Sequence, residues 1–473
     1  MSPDKERGRI EATDLVKWDG PENPMNWPKW KRLGHVALVS IIIFLVNLST
    51  TISAPGSGIL MKDFHQDNSI IRNLTISIFL LGFTLGPLVM APLSELYGRL
   101  IVYHLSIATF IVFLMGCGWS ESIISFLILR FIAGCAASSP STIGGGTVAD
   151  VIPVQERGAA MAVTAVGPIL APVIGPVVGG FVAQQLGWRW TFWLVGFAAS
   201  IWLVVAMIFM QETYAPILLK RKAARLRKIT GNVGPQAESG KNLSPLAYLG
   251  RGLSRPLKLL VLSPVVLLLS IYVAFVFGLM FLCFSTYSEV FIEQYHFSVG
   301  VSGLTYLGQG IGMIIGLILF GALSDRILKA RAAKHKGETT PEERLPLMIY
   351  FAPIVPIGFF WYGWTAQEKV QWMAPIVGTS FIGLGNLFVM LPAQIYLVDA
   401  FGPESAASAL AANSLLRSLF ATFLPLTAPR LYASLGYGWG NSLFGFLGLA
   451  FIPVPVLFYK YGAYLRSRFQ VRL

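Results

Sequence analysis

Charge is scarce in this chain: Asp, Glu, Lys and Arg make up 12% of 473 residues, against 55% hydrophobic residues and a mean hydropathy of +0.65. A soluble globular protein of this length is excluded, because so few polar groups cannot cover a water-facing surface. Cysteine is scarce as well. Cys117, Cys135 and Cys283 are far apart and sit in or beside apolar stretches, which supports neither a disulfide framework nor a metal site. No H-E-x-x-H, G-x-S-x-G or Walker A pattern occurs, so neither an enzyme nor ATP coupling is indicated, and no catalytic residue, cofactor or metal is expected. The first 32 residues contain no apolar h-region, so no cleaved signal peptide is expected and insertion relies on the first span.

What is present is a series of about twelve apolar stretches long enough to cross a ~30 Å hydrocarbon core. They run over 33–60, 74–94, 101–119, 122–147, 158–183 and 190–210, then 260–286, 299–323, 346–365, 371–396, 406–429 and 438–460. The expectation is an all-α polytopic membrane protein, with twelve transmembrane helices in two pseudo-symmetric six-helix bundles. A tail (1–32), a bundle (33–211), a linker (212–259), a second bundle (260–460) and a second tail (461–473) divide the chain. With both termini in the cytoplasm, the cytoplasmic segments hold 29 of the 36 lysines and arginines, and the outer loops hold Lys62, Arg72, Arg189 and Lys369. This asymmetry accounts for the net charge of +13 without nucleic acid. Of three N-x-S/T sequons only Asn73 is placed to face outside, close against the second span.

The linker carries Lys220-Arg221-Lys222 and Arg225-Leu-Arg227-Lys228, spaced for either a surface-lying amphipathic helix or a solvated connection. The halves echo one another across it. Ala91-x-x-x-Glu95 after span two matches Gly321-x-x-x-Asp325 after span eight, and Asp150 before Gln155-Glu156 is echoed by Asp399 before Glu404. Internal symmetry of six-span halves, with a substrate site between them near the midplane, is a property of secondary transporters.

Residues 167–180 carry the strongest pattern. Pro168, Pro172 and Pro176 recur every fourth residue and share a helix face, while Gly175 and Gly179 form a G-x-x-x-G pair flanked by Gly167 and Gly180. Proline survives in lipid where neighbouring helices or a polar cavity satisfy the carbonyls it frees. In span four, Arg130 lies near the membrane interior, at a depth comparable with Asn47 of span one, and the two are expected to form a polar site. Arg417, one turn from Asn413, lies near the midplane of span eleven. No carboxylate does: Glu95, Asp150, Asp325 and Asp399 cluster at cytoplasmic ends, and Asp63, Glu121, Glu289 and Glu293 at outer ends. That speaks against a strongly cationic substrate, because desolvating one calls for buried acids. Arg does not release its proton under ordinary conditions, so the proton carrier is expected among the cytoplasmic acids, Asp150 first and Glu95 second. Asn47, Gln309, Asn386, Gln394, Asn413 and Arg417, with Phe281, Phe284 and Tyr287 at helical spacing, are the expected cavity groups.

The segment 167–180 closely resembles the antiporter motif in the fifth helix of drug:proton antiporters of the major facilitator superfamily. Ala91-Pro-Leu-Ser-Glu95-Leu-Tyr-Gly98-Arg99 is similar to that superfamily's G-x-x-x-D-x-x-G-R motif, with Ala91 for the first Gly and Leu100 for the second basic residue. Arg130-Phe-Ile-Ala-Gly134 resembles its R-x-x-x-G motif. Pro21-Glu22-Asn23-Pro24-Met25-Asn26-Trp27-Pro28, Trp188-Arg189-Trp190, Glu212-Thr213-Tyr214 and Leu416-Arg417-Ser418 extend the likeness to the fungal twelve-span drug:proton antiporters. The resemblance implies a plasma-membrane multidrug or toxin efflux pump, exporting drug-like molecules or secondary metabolites by alternating access. It implies that Glu95, Gly98 and Arg99, with the echo Asp325-Arg326, form cytoplasmic latches, and that Arg130 takes part in proton-linked rearrangement. Relatives that carry polyamines or act in the vacuole share much of this framework, and a uniporter is a further alternative. The expected partners are the lipid bilayer, protons and a neutral or anionic, partly apolar small molecule, with the chain acting as a monomer.

Overall fold

The computed structural model describes residues 22–153, 156–230, 245–334 and 340–469. Six membrane helices build the first half: α1 (Lys29–Thr51), α2 (Ser69–Tyr97), α3 (Arg99–Trp119), α4 (Ile123–Val151), α5 (Arg157–Gln185) and α6 (Arg189–Phe209). The second half begins with α7 (Pro264–Tyr295), α8 (Val299–Ser324), α9 (Pro341–Gln367) and α10 (Met373–Gly402). The remaining apolar stretch, Ser405–Arg468, is 64 residues long. At a rise of ~1.5 Å per residue it is about three times the length one crossing requires. It reverses at Gly436, whose φ of 72° and ψ of 178° leave the helix, and so resolves into α11 (405–435) and α12 (437–468). Gly402 interrupts the preceding continuous stretch in the same way. The protein is therefore an all-α polytopic membrane protein with twelve membrane-spanning helices in two six-helix bundles.

The largest boundary differences from the hydropathy reading are at spans one and seven, the latter running on to Tyr295. Span one ends at Thr51 instead of running to residue 60, and Ser57–Asp63 forms a separate short helix. Ser49, Thr50, Thr51 and Ser53, followed by Pro55 and Gly56, favour turning there. The linker is partly helical, with helices Ala215–Thr230 and Pro245–Leu262, and the latter packs on α2 and on the 373–423 stretch.

Six crossings return each half to the end at which it began. The linker and both terminal segments therefore share one end, here the tail end, and the opposite one is the far end. The halves meet through α2 against 373–423 and through α5 against α8. Helix α5 stays unbroken from Arg157 to Gln185 despite three internal prolines. At Pro176 the compensation is tertiary: the residue has no N–H for the carbonyl of Pro172, and the Thr51 hydroxyl of α1 donates to that carbonyl at 3.0 Å. The glycines allow this approach. A methyl group at Gly179 would fall on the Ile52 carbonyl, and one at Gly175 would lie 2.8 Å from Thr51 Oγ1. Gly167 faces Phe44 of α1 in the same way, whereas Gly180 faces Val299 and Gly300 of the other half.

Candidate functional site

A cavity of about 110 Å³ lies between the halves, walled by residues from α1, α2, α5, α7, α8, α10 and α11. Pro168, Ile169 and Pro172 form its α5 wall, Leu80 and Phe83 its α2 wall, and Phe277, Met280 and Phe281 its α7 wall. Met313, Leu387 and Met390 complete the apolar lining. Asn47, Thr50, Asn386, Arg417 and Ser418 are its polar groups. A larger hollow of about 520 Å³ beside Asp63 and Arg189 lies on the surface of the first half, away from the junction between halves.

Of the cavity groups expected from sequence, Asn47, Phe281, Asn386 and Arg417 line the space. The other five do not. Phe284 stacks on Tyr306 at 5.8 Å, and Tyr287 packs edge-on against Tyr306 and Tyr362. Asn413 donates to Ser270 Oγ at 3.3 Å, Gln309 is fully buried, and Gln394 is half-buried away from the lining. The sequence reading missed Phe277 and the three methionines. Phe277, Met280 and Phe281 fall at i, i+3 and i+4, so the same helical spacing read one turn earlier finds the correct face.

The two intramembrane arginines have different surroundings. Arg130 is 0% exposed. Its guanidinium donates to Ser49 Oγ at 3.1 Å and to the Ser49 carbonyl, between the rings of Phe79 at 4.5 Å and Phe192 at 5.1 Å. The expected pairing with Asn47 is absent, because Asn47 Nδ2 donates to its own helix at Ile43 O, 2.8 Å away. Two residues turn a helix by ~200°, so the residue that meets α4 is Ser49 while Asn47 faces the cavity. Arg417 lies on the cavity wall, with Nη1 3.7 Å from Met390 Sδ and its guanidinium 4.7 Å from the Phe277 ring.

At the tail end Gly98 has φ +98°, and a methyl group there would strike the Glu212 carboxylate. Glycine is needed both for the turn and for room. Glu212, 5% exposed, accepts from the backbone N–H groups of Arg99 (2.9 Å), Leu100 (3.2 Å), Thr213 (3.0 Å) and Tyr214 (2.9 Å). A carboxylate at the N-terminus of α3 satisfies amides that have no intrahelical partner and complements the helix dipole. The Arg99 side chain donates to Ser94 Oγ at 2.7 Å and pairs with Asp150 at 3.5 Å, and Thr213 Oγ1 donates to the same Asp150 oxygen at 3.3 Å. Glu95 is exposed, so the acid that meets Arg99 in this conformation is Asp150. Arg326 is exposed, and the Asp325 side chain lies outside the described residues. The second half has matching contacts: Arg344 pairs with Asp399 at 3.1 Å, and Arg466 binds Glu342 through two nitrogens at 3.1 and 3.0 Å.

At the far end the contacts cross between halves. Arg72 of α2 pairs with Glu289 of α7, Asn73 Nδ2 donates to the Pro425 carbonyl at 2.8 Å, and the Gly300 amide donates to Gln184 Oε1 at 2.7 Å. Gly303 of α8 approaches so closely that a methyl group would fall on the Pro176 carbonyl. In this conformation the far end is shut over the cavity.

A family model described as Major Facilitator Superfamily matches residues 39–425. The chain belongs to this superfamily. The transporter is 54% identical over 472 residues to the MFS transporter prlG of a fungal species, strain NRRL 50135, covering 99% of each chain. It is 53% identical over 466 residues to the MFS-type transporter mpsC of Macrophomina phaseolina, covering 98% of this chain and 91% of the relative. The xylose transporter XylE from E. coli, in a partially occluded inward-open conformation, shares the fold with a TM-score of 0.65 at 16% identity, over 91% of this chain and 99% of that one. A bacterial homologue of the human lysosomal transporter Spinster does so with a TM-score of 0.64 at 13% identity, over 94% and 100%.

Proposed function

We propose that this transporter is a proton-coupled exporter of drug-like molecules or secondary metabolites, with the tail end in the cytoplasm of a plasma membrane. The observation that carries this reading is the central cavity: apolar walls from both halves, three methionines from the second half, a few polar groups, and no acid. A hydrophobic molecule reaches such a site from the cytoplasm while the far end is shut, and leaves when the halves rock the other way. Three rotatable bonds and a polarizable sulfur let methionine walls adapt to differing shapes. The acid-free lining argues against the polyamine alternative, since a desolvated polycation needs carboxylates.

Proton coupling is assigned to Asp150, with Glu95 as the second candidate. Asp150 sits at the tail end with Arg99 and Thr213 as direct partners, and Glu212 holds the Arg99 backbone N–H. Protonating Asp150 releases the Arg99 side chain and loosens the joint between α3 and α4, which links its charge to the position of those helices. The test is flux of labelled apolar solutes into inside-out vesicles with an imposed proton gradient. Asp150→Asn is expected to abolish uphill accumulation while sparing downhill exchange. Uphill accumulation by Asp150→Asn with an ordinary pH dependence would move the carrier elsewhere, and gradient-independent flux in the unaltered protein would make it a uniporter.

A further inference from the structure

Two guanidinium groups are buried in the membrane region without a carboxylate partner among the described residues, and only one of them borders open space. Arg130 is sealed between two rings and held by both oxygens of Ser49. Arg417 has a thioether 3.7 Å away and one aromatic face, and its Nε has no partner. A thioether is a weak acceptor and a guanidinium carries five donors, so most of the hydrogen-bonding capacity of Arg417 is unfilled. A charge kept at this depth without a protein counter-ion is costly unless something else supplies one.

We propose that the cavity takes a monoanion, and that Arg417 binds the planar oxyanion of an otherwise apolar molecule. The inference rests on the reading of the central cavity as the substrate site, and it narrows the substrate to one charge class. A carboxylate matches the fork of the guanidinium, which offers two parallel N–H groups. One Arg neutralises one charge, so a dianion would enter with a charge uncompensated. The apolar remainder of the ligand lies on Met280, Met313 and Phe281, with Asn386 available for a further polar group. Arg417 then works as a permanent cation, and its occupancy by substrate does not require it to give up a proton.

The test compares 2-naphthylacetate with the neutral 2-naphthylacetamide, which share an aromatic body and differ in charge. Binding of each is measured to the purified full-length transporter in nanodiscs at pH 7. The acid is expected to bind about tenfold or more tighter than the amide, as a charge-assisted bidentate contact implies. Arg417→Gln should bring the acid-to-amide ratio to about one, and Arg417→Lys should retain part of it, having the charge without the fork. Equal binding of the two probes by the unaltered protein overturns the proposal without relying on any variant. Binding of neither probe overturns it too, as does an Arg417→Gln protein that weakens both probes equally. Proton-driven uptake of the amide with no preference for the acid would remove the anion site and leave the export reading standing. Acid-selective binding with no proton-driven flux would do the reverse.

Discussion

The far end and the tail end of this transporter are both rich in polar contacts, yet they connect different things. At the far end Arg72–Glu289, Asn73 to Pro425 and Gly300 to Gln184 join one half to the other. At the tail end Arg99–Asp150, Arg344–Asp399 and Arg466–Glu342 each close within one half. Contacts of the first kind must break when the cavity opens to the far side, while rigid-body rocking by itself does not separate the partners of the second kind. The tail-end contacts are also nearly symmetric. Arg99 and Arg344 tie the starts of α3 and α9 to the ends of α4 and α10, and a further charge comes from the tail end of each half's chain, Glu212 just after α6 in one half and Arg466 in the last turn of α12 in the other. The charge sign is reversed between halves, so the geometry of the clamp is repeated although its residues are not. The difference between the ends is one of connection: in this conformation the tail-end ion pairs lie inside a bundle, where a change of charge acts on that bundle's own helices, and the far-end pair lies between bundles.

The hardest test of this contrast is Gly303→Leu. A side chain there collides with the Pro176 carbonyl of the other half, so the far end cannot seal, and export should be abolished while the protein reaches the membrane in ordinary amounts. Normal export would show that this approach is not part of the seal. Next comes Glu212→Ala, which strips four backbone amides of their acceptor at the tail end. A loss of about 2–4 kcal/mol of stability in the first half is expected from thermal unfolding in detergent. Cysteine labelling from the far side should stay as in the parent protein, and a change there would mean that the clamp also sets the gate.

A smaller effect is expected at the pair that crosses between halves. Removing the Arg72–Glu289 contact should raise labelling of a Ser288→Cys reporter by about fivefold, the size of a part-exposed ion pair worth ~1 kcal/mol. Arg72→Glu combined with Glu289→Arg should recover part of the loss in a double-mutant cycle, and additive losses would deny the pair any coupling. The smallest effect belongs to Asp63, a far-end acid bound within one half. Hydrogen bonds from Arg189 and Trp188 hold its carboxyl below the usual range. Its contribution is therefore present above the unfolded carboxylate value of ~4 and is lost as pH falls through the lowered folded value. The melting temperature of Asp63→Asn should lie slightly below that of the parent at pH 7, the gap should narrow as the pH falls below ~4, and a gap that stays constant under progressive acidification would refute the assignment.

Position along a helix was legible from the sequence, and direction around it was not. Counting residues placed Arg130 and Arg417 in the membrane interior and left every acid at an end, because rise per residue is a local constant. The same counting matched Asn47 to Arg130, since both lie at similar depth, and it missed Ser49 two residues on. It chose Phe281, Phe284 and Tyr287 as a stripe where the cavity uses Phe277, Met280 and Phe281, because a helix that packs on all sides gives hydropathy no phase. Glu212 was visible as part of a likeness, but its task depends on the amides of α3, 112 and 113 residues earlier in the chain.

By itself, the chain determined twelve crossings in two halves, the absence of acids at the midplane, and a proline-glycine helix that needs close neighbours. Each follows from composition, periodicity or backbone chemistry confined to one segment. Which oxygen of α1 fills the carbonyl freed by Pro176, which arginine is sealed and which one borders the cavity, and which end ties the halves together were decided only by tertiary structure. Those depend on the rotation and approach of helices distant in sequence, and packing free energy over the whole bundle sets them jointly.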